Sequence, residues 1–293
     1  MAKDNNSFDH LDRVGRTVAA IAHPAAATTL TALAFITIAS WVLLAGMSAS
    51  LPALEAGPGA GLLDWLELRF VPWPLDTLLA LCLTPVLPDA GNLPLFVSLL
   101  AMWFIMSLAM MLPSAAPLVR TYCEIADTAR AAGKSVVHPM WLLSGFLGVW
   151  LLASAGFALV ALAVSRFAFA GIASPAVAPV SVAALVIAGA YQFSSLKESC
   201  LKKCRNPFST LFGNWSFDTL RIVKLGVAQG LWCLGCCWAL MLIMFVVGVM
   251  NIFWMALLTA FMVLEKLGSG KTLSRIAGVI LLVWGFSVLL VAV

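Results

Sequence analysis

The sequence is built around apolar runs that are long enough to cross a lipid bilayer as helices. A transmembrane helix needs about 20 predominantly apolar residues. Of the 293 residues, 62% are hydrophobic and 10% are charged, whereas soluble domains carry about 25% charged residues. The runs lie at about 25–48, 93–113, 140–164, 174–191, 226–247, 250–266 and 275–293. We therefore predict an all-α, polytopic membrane helix bundle with about seven transmembrane spans.

The segments between these runs are mostly short, which predicts a single membrane domain. Residues 1–24 mix acidic and basic side chains, unlike the short basic region that opens a secretory signal. We interpret them as a tail, and residues 25–293 as one transmembrane helical domain that begins with an uncleaved span. The only large segment outside the membrane is the loop 49–92.

The basic residues predict the orientation of the bundle. Fifteen of the 17 lysines and arginines fall in the tail or in the loops 114–139, 192–225 and 266–275. Loops rich in lysine and arginine remain in the cytoplasm. The N-terminus and the loop 192–225 should therefore be cytoplasmic, and the loop 49–92 should face outward.

Five of the seven cysteines lie close together in the sequence: Cys200, Cys204, Cys233, Cys236 and Cys237. Cys200 and Cys204 share one face of any helix that contains them, and neighbouring lysines and arginines should favour their thiolate forms. Polar or reactive groups within a membrane are costly and usually functional. Cysteine is also a common buried residue without a chemical role, so packing is the alternative.

Methionines extend this pattern along three predicted spans. Met102, Met106 and Met110 share one helical face, and Met241 and Met244 continue the face of Cys233 and Cys237. Thiolates and thioethers, in a chain with only three histidines, are the ligands that Cu(I) prefers. Methionine also packs well in apolar cores. The predicted metal ligands are Cys200, Cys204, Cys233, Cys236, Cys237, Met241, Met244, Met102, Met106, Met110 and Met255.

Two further features of the predicted spans concern packing and charge. Gly226, Gly230 and Gly235 provide a small-residue surface that another helix can approach closely. Glu265, at the end of the sixth span, is expected to be a paired or solvated charge. Its neighbour Lys266 should extend toward the membrane interface.

The sequence resembles a bacterial family of predicted metal-binding integral membrane proteins, which are sometimes labelled copper chaperones. The resemblance covers roughly residues 95 to 290. It rests on blocks at Trp103–Pro113, Tyr191–Cys204, Gly230–Trp238, Gly248–Met255 and Glu265–Lys266. It implies a multi-pass protein of the bacterial inner membrane that binds a metal.

Together these features predict a membrane protein that binds Cu(I) and handles or delivers copper, with a membrane or periplasmic cuproenzyme as its partner. No catalytic residue set and no nucleic-acid contact is predicted. Cys200 and Cys204 would form a cytoplasmic site, Cys233, Cys236 and Cys237 a site in the inner half of the bundle, and the methionines a weaker site further out. Two alternatives remain: a membrane thiol–disulfide oxidoreductase that uses Cys233 and Cys236, and a structural subunit of a larger membrane complex.

Overall fold

A computed structural model describes residues 24–49, 92–167, 173–213, 215–268 and 270–292. Within these ranges the chain forms helices and contains no strand, which confirms the all-α prediction. The tail, the loop 49–92 except its two end residues, and Cys82 lie outside the described residues. The helices are α1 Pro24–Ala49, α2 Asn92–Ala131, α3 Pro139–Phe167, α4 Ala173–Tyr191, α5 Ser195–Arg205, α6 Pro207–Gly213, α7 Thr219–Met241, α8 Met244–Val247, α9 Ile252–Leu267 and α10 Thr272–Ala292.

Among the described residues, five helical segments are long and apolar enough to cross a membrane: Ala27–Ser48, Asn92–Ala131, Pro139–Val164, Thr219–Val247 and Thr272–Leu290. A sixth results if α4 and α5, which are bent by 63° at a short break, are taken as one broken span. The predicted sixth span corresponds to α9, which has only 16 residues. At 1.5 Å per residue it reaches about 24 Å, less than the roughly 30 Å hydrocarbon core.

The second helix is much longer than the apolar run that predicted it. The sequence places a loop at 114–139, but α2 continues without a break to Ala131, with Pro113 and Pro117 inside it. The polar half of this extension carries ion pairs between Arg120 and Glu124 (2.9 Å) and between Arg130 and Asp127 (2.8 Å). Its apolar half, including Leu118 and Tyr122, is buried against α3, α6 and α7. The extension is therefore an amphipathic helix. Hydropathy averaged along the sequence does not detect such a helix, because its polar and apolar residues cancel.

Glycines bring α3 and α7 into direct backbone contact. A Cβ atom on Gly226 would lie 2.0 Å from the Leu142 carbonyl oxygen, and one on Gly145 would lie 2.2 Å from the Val223 carbonyl oxygen. A Cβ on Gly230 would lie 2.9 Å from the Val149 Cβ. The predicted small-residue surface on α7 is confirmed, and α3 is the helix that it contacts.

A tight turn at residues 248–251 joins α7 and α8 to α9. Gly248 has a φ of 100°, a conformation that favours glycine. Asn251 then caps α9 by accepting a hydrogen bond from the Trp254 backbone N–H (3.3 Å). The turn therefore returns the chain toward α2 and α5, which α9 contacts.

The glycine contact makes a specific prediction about stability. Gly226→Ala should destabilise the protein by about 1–3 kcal/mol, the usual cost of overpacking, because the rigid Leu142 carbonyl cannot move aside. Gly148→Ala on α3 is the control, since its Cβ would meet no atom within 4 Å. Thermal unfolding in detergent should show a lower melting temperature for Gly226→Ala alone. Equal melting temperatures for both variants would contradict the α3–α7 packing.

Candidate metal site

Helix α5 places two thiols against α7. Its first turn is capped by Ser194, whose hydroxyl accepts from the Leu196 N–H (3.1 Å). A Cβ on Gly235 would lie 2.7 Å from the Cys200 Sγ, so the missing side chain at Gly235 makes room for this thiol. One helical turn later, the Cys204 thiol lies beside Cys236 of α7, close enough for the two side chains to interact. Both α5 cysteines therefore lie along the same surface of α7.

The three α7 thiols are buried, and two of them bond to their own helix. Cys233, Cys236 and Cys237 are at most 3% exposed. The Cys236 Sγ donates to the Cys233 carbonyl oxygen at 3.0 Å, and the Cys237 Sγ donates to the same oxygen at 2.8 Å. A metal bound by these thiols would require both to turn away from that carbonyl.

A thioether from α2 completes the group. The Met111 Sδ lies 3.8 Å from the Cys237 Sγ, and Met111 is 1% exposed. The sequence pattern singles out Met102, Met106 and Met110, so it misses Met111, which lies about 100° around the helix from Met110. Three helices thus contribute to one sulfur cluster, which we define as Cys200, Cys204, Cys233, Cys236, Cys237 and Met111.

Lys266 of α9 points its ammonium group into this cluster. Its Nζ donates to the Cys233 Sγ at 3.2 Å and to the Ser114 Oγ at 2.7 Å. The ammonium therefore has two partners within the bundle, a part-buried hydroxyl and a buried thiol. That the side chain reaches the membrane interface stays a prediction.

Glu265 occupies a different environment from its neighbour. Its Oε1 lies 2.7 Å from the Lys197 Nζ, and the two side chains are 2% and 1% exposed. Lys197 also donates to the Gln192 side-chain oxygen, and Ser274 donates to the Glu265 carboxylate at 2.5 Å. Glu265 is thus a paired charge, as expected, and it ties α5 to α9 and α10.

The basic residues of α5 are bound to groups other than its thiols. Arg205 donates twice to the Glu265 backbone carbonyl (3.1 and 2.8 Å), and Lys202 pairs with Glu198 (3.0 Å). Lys203 lies over the Trp232 ring at 5.6 Å. The expectation that these cations favour thiolates at Cys200 and Cys204 is therefore wrong. The ammonium that contacts the cluster comes from α9.

The sulfur contacts are pairwise. Within the residues that the structure describes, no three histidine, cysteine, aspartate or glutamate side chains are grouped so that they could hold a metal ion. The cluster is therefore a set of neighbouring donors that needs side-chain rotation before three of them could share one ion.

The remaining predicted ligands are buried, but burial alone does not distinguish a metal ligand from a residue that only packs in the core. They belong to the same apolar core as the cluster, and each is at most 7% exposed. They are Met241, Met244, Met102, Met106, Met110 and Met255. Their role as ligands stays a prediction.

Comparison with known proteins identifies the family. Residues 100–288 match the family described as PpoB2, copper chaperone. The chain belongs to this family. The matched range contains every residue of the sulfur cluster together with Ser114, Glu265 and Lys266, and it confirms the resemblance found in the sequence. Neither the search of curated proteins nor the search of solved structures gave a match.

The buried ion pair that positions α5 can be tested through stability. Glu265→Gln leaves the Lys197 ammonium buried without a counter-charge, which should cost about 3–5 kcal/mol. The control is Glu198→Gln, which removes exposed pairs with Lys202 and Lys271 and should leave the melting temperature nearly unchanged. Thermal unfolding in detergent measures both variants. Equally small shifts would show that the pair does not hold α5 in place.

Proposed function

We propose that this protein binds Cu(I) within the bacterial inner membrane and delivers it to a cuproenzyme. The observation that supports this proposal most is the sulfur cluster, in which thiols from α5 and α7 and a thioether from α2 lie together in the core. The family description supports a role in copper handling.

The chemistry of the cluster favours a soft metal ion over a hard one. Cu(I) prefers thiolates and thioethers, and hard ions such as Mg²⁺ and Ca²⁺ prefer oxygen. Among the cluster and its contacts, the oxygen groups present are the Ser114 hydroxyl and backbone carbonyls. The donors therefore suit Cu(I), which acts here as the cargo.

The two cysteine sites that the sequence separates become one site in this proposal. Cys204 is in contact with Cys236, so the thiols of α5 and α7 belong to one group. Copper would enter at Cys200 and Cys204 on the cytoplasmic side, exchange onto Cys233, Cys236 and Cys237, and leave toward Met111. The methionine faces of α2, α8 and α9 would receive it further out.

The proposed topology retains seven spans. Seven segments would cross the bilayer, and α5 would lie on the cytoplasmic side. The seven are α1, α2, α3, α4, the pair formed by α7 and α8, α9, and α10. Because α9 is short and follows a tight turn, it would cross where the bilayer is thinned. The basic residues of α5 and of the segment before α10 support this orientation.

Cu(I) titration of purified protein tests the central site. We expect Cys233→Ser combined with Cys237→Ser to weaken Cu(I) binding by at least about 100-fold, more than changes around a metal site usually cause. Cys123→Ser is the matched control, because Cys123 is also a buried thiol but lies on α2, outside the cluster.

Two results would contradict the proposal in different ways. An unchanged Cu(I) affinity and stoichiometry in the double variant would remove the central site. A native disulfide between Cys233 and Cys236, found by mass spectrometry after alkylation, would instead support the thiol–disulfide alternative. All six described cysteines are free in the structure.

The thioether of Met111 can be tested with a volume-conserving change. Met111→Leu should cost less than about 1.5 kcal/mol of stability but should weaken Cu(I) binding measurably, because leucine supplies no donor. Met47→Leu is the control, since Met47 is equally buried at 1% exposure but lies on α1. Competition with a chromogenic Cu(I) chelator measures both affinities. Equal affinities would exclude Met111 from the ligand set.

A further inference from the structure

The position of the Lys266 ammonium has a consequence for which ion the cluster accepts. Its Nζ bonds to the Cys233 Sγ at 3.2 Å and to the Ser114 Oγ at 2.7 Å. A positive charge therefore contacts the Cys233 thiol, and Cys236 and Cys237 lie within about one turn of Cys233 on the same helix.

This charge is not neutralised by the carboxylate next to it in the sequence. Glu265 pairs with Lys197 and accepts from Ser274. Two other cations near the cluster also have partners outside it. Arg205 donates to a backbone carbonyl, and Lys202 pairs with a carboxylate. The Cys233 thiol, once deprotonated, is thus the anionic partner that Lys266 contacts.

Sulfur ligands alone discriminate poorly between Cu(I) and the divalent ions that also bind thiolates, such as Zn²⁺. A nearby ammonium repels a divalent ion twice as strongly as a monovalent ion held by the same ligands. With a metal on the order of 5 Å from the nitrogen and an effective dielectric constant of about 20, this difference corresponds to roughly 100-fold in relative affinity.

We propose that Lys266 is a specificity-determining residue that selects monovalent soft cations over divalent ones, with Ser114 holding its ammonium in place. This inference rests on the proposed function. One Cu(I) ion on two thiolates has a net charge of minus one, which Lys266 cancels. A divalent ion on the same two thiolates would leave a net positive charge inside the bundle, where unbalanced charge is costly.

The test compares two soft ions that differ in charge, Ag(I) and Cd(II), by competition titration of the purified full-length protein in detergent. We expect Lys266→Leu, which removes the charge without adding a sulfur donor, to shift the ratio of the two affinities toward Cd(II) by roughly 100-fold. Lys266→Arg, which keeps the charge, should retain the wild-type ratio. Lys203→Leu is the control, because Lys203 is a cation of α5 that lies over Trp232.

Ser114→Ala provides a second variant in case Lys266→Leu does not fold. It removes the hydroxyl 2.7 Å from the ammonium and should shift the ratio in the same direction by a smaller amount. An unchanged ratio in the folded variants, or an equal loss of both affinities, overturns the inference and leaves the proposed function intact. Absence of Ag(I) binding by the wild-type protein removes the proposed function and this inference with it.

Discussion

The arrangement of the sulfur cluster depends on the buried ion pair between Lys197 and Glu265. Two charges removed from water are tolerated only when both are paired and hydrogen-bonded. Here Gln192 and Ser274 supply the additional hydrogen bonds. Because Lys197 is on α5 and Glu265 is on α9, the pair fixes α5 against the bundle. Cys200 and Cys204 extend from that same helix to the surface of α7.

Glu265 and Lys266, which are adjacent on α9, therefore have different structural roles. Successive side chains on a helix differ in direction by about 100°, so Glu265 faces α5 and α10 while Lys266 faces α2 and α7. The carboxylate anchors the helix that carries two thiols, and the ammonium contacts the thiols of the facing helix. In a membrane interior both charges would be costly without these partners. Their proximity to the cysteines links the stability of the fold to the chemistry of the site.

Much of the fold could be predicted from the sequence, because the sequence patterns that determine it are local. Apolar length predicts the helices, Gly226 and Gly230 predict the close packing on α7, and the residues from Gly248 to Asn251 predict the turn. The helical spacing of Cys200 and Cys204 places both on one face of α5. Local patterns do not predict which helices meet. The contacts of Met111 and of Lys266 with α7, and the merging of two cysteine sites, arise from tertiary packing and were missed.

X-ray absorption spectroscopy at the copper edge of the Cu(I)-loaded protein tests the central claim most directly. The account predicts a first coordination shell composed only of sulfur, with two or three ligands, as expected for Cu(I) on thiolates and a thioether. A first shell dominated by nitrogen or oxygen, in protein whose cysteines are intact and reduced, would contradict a copper site at the sulfur cluster.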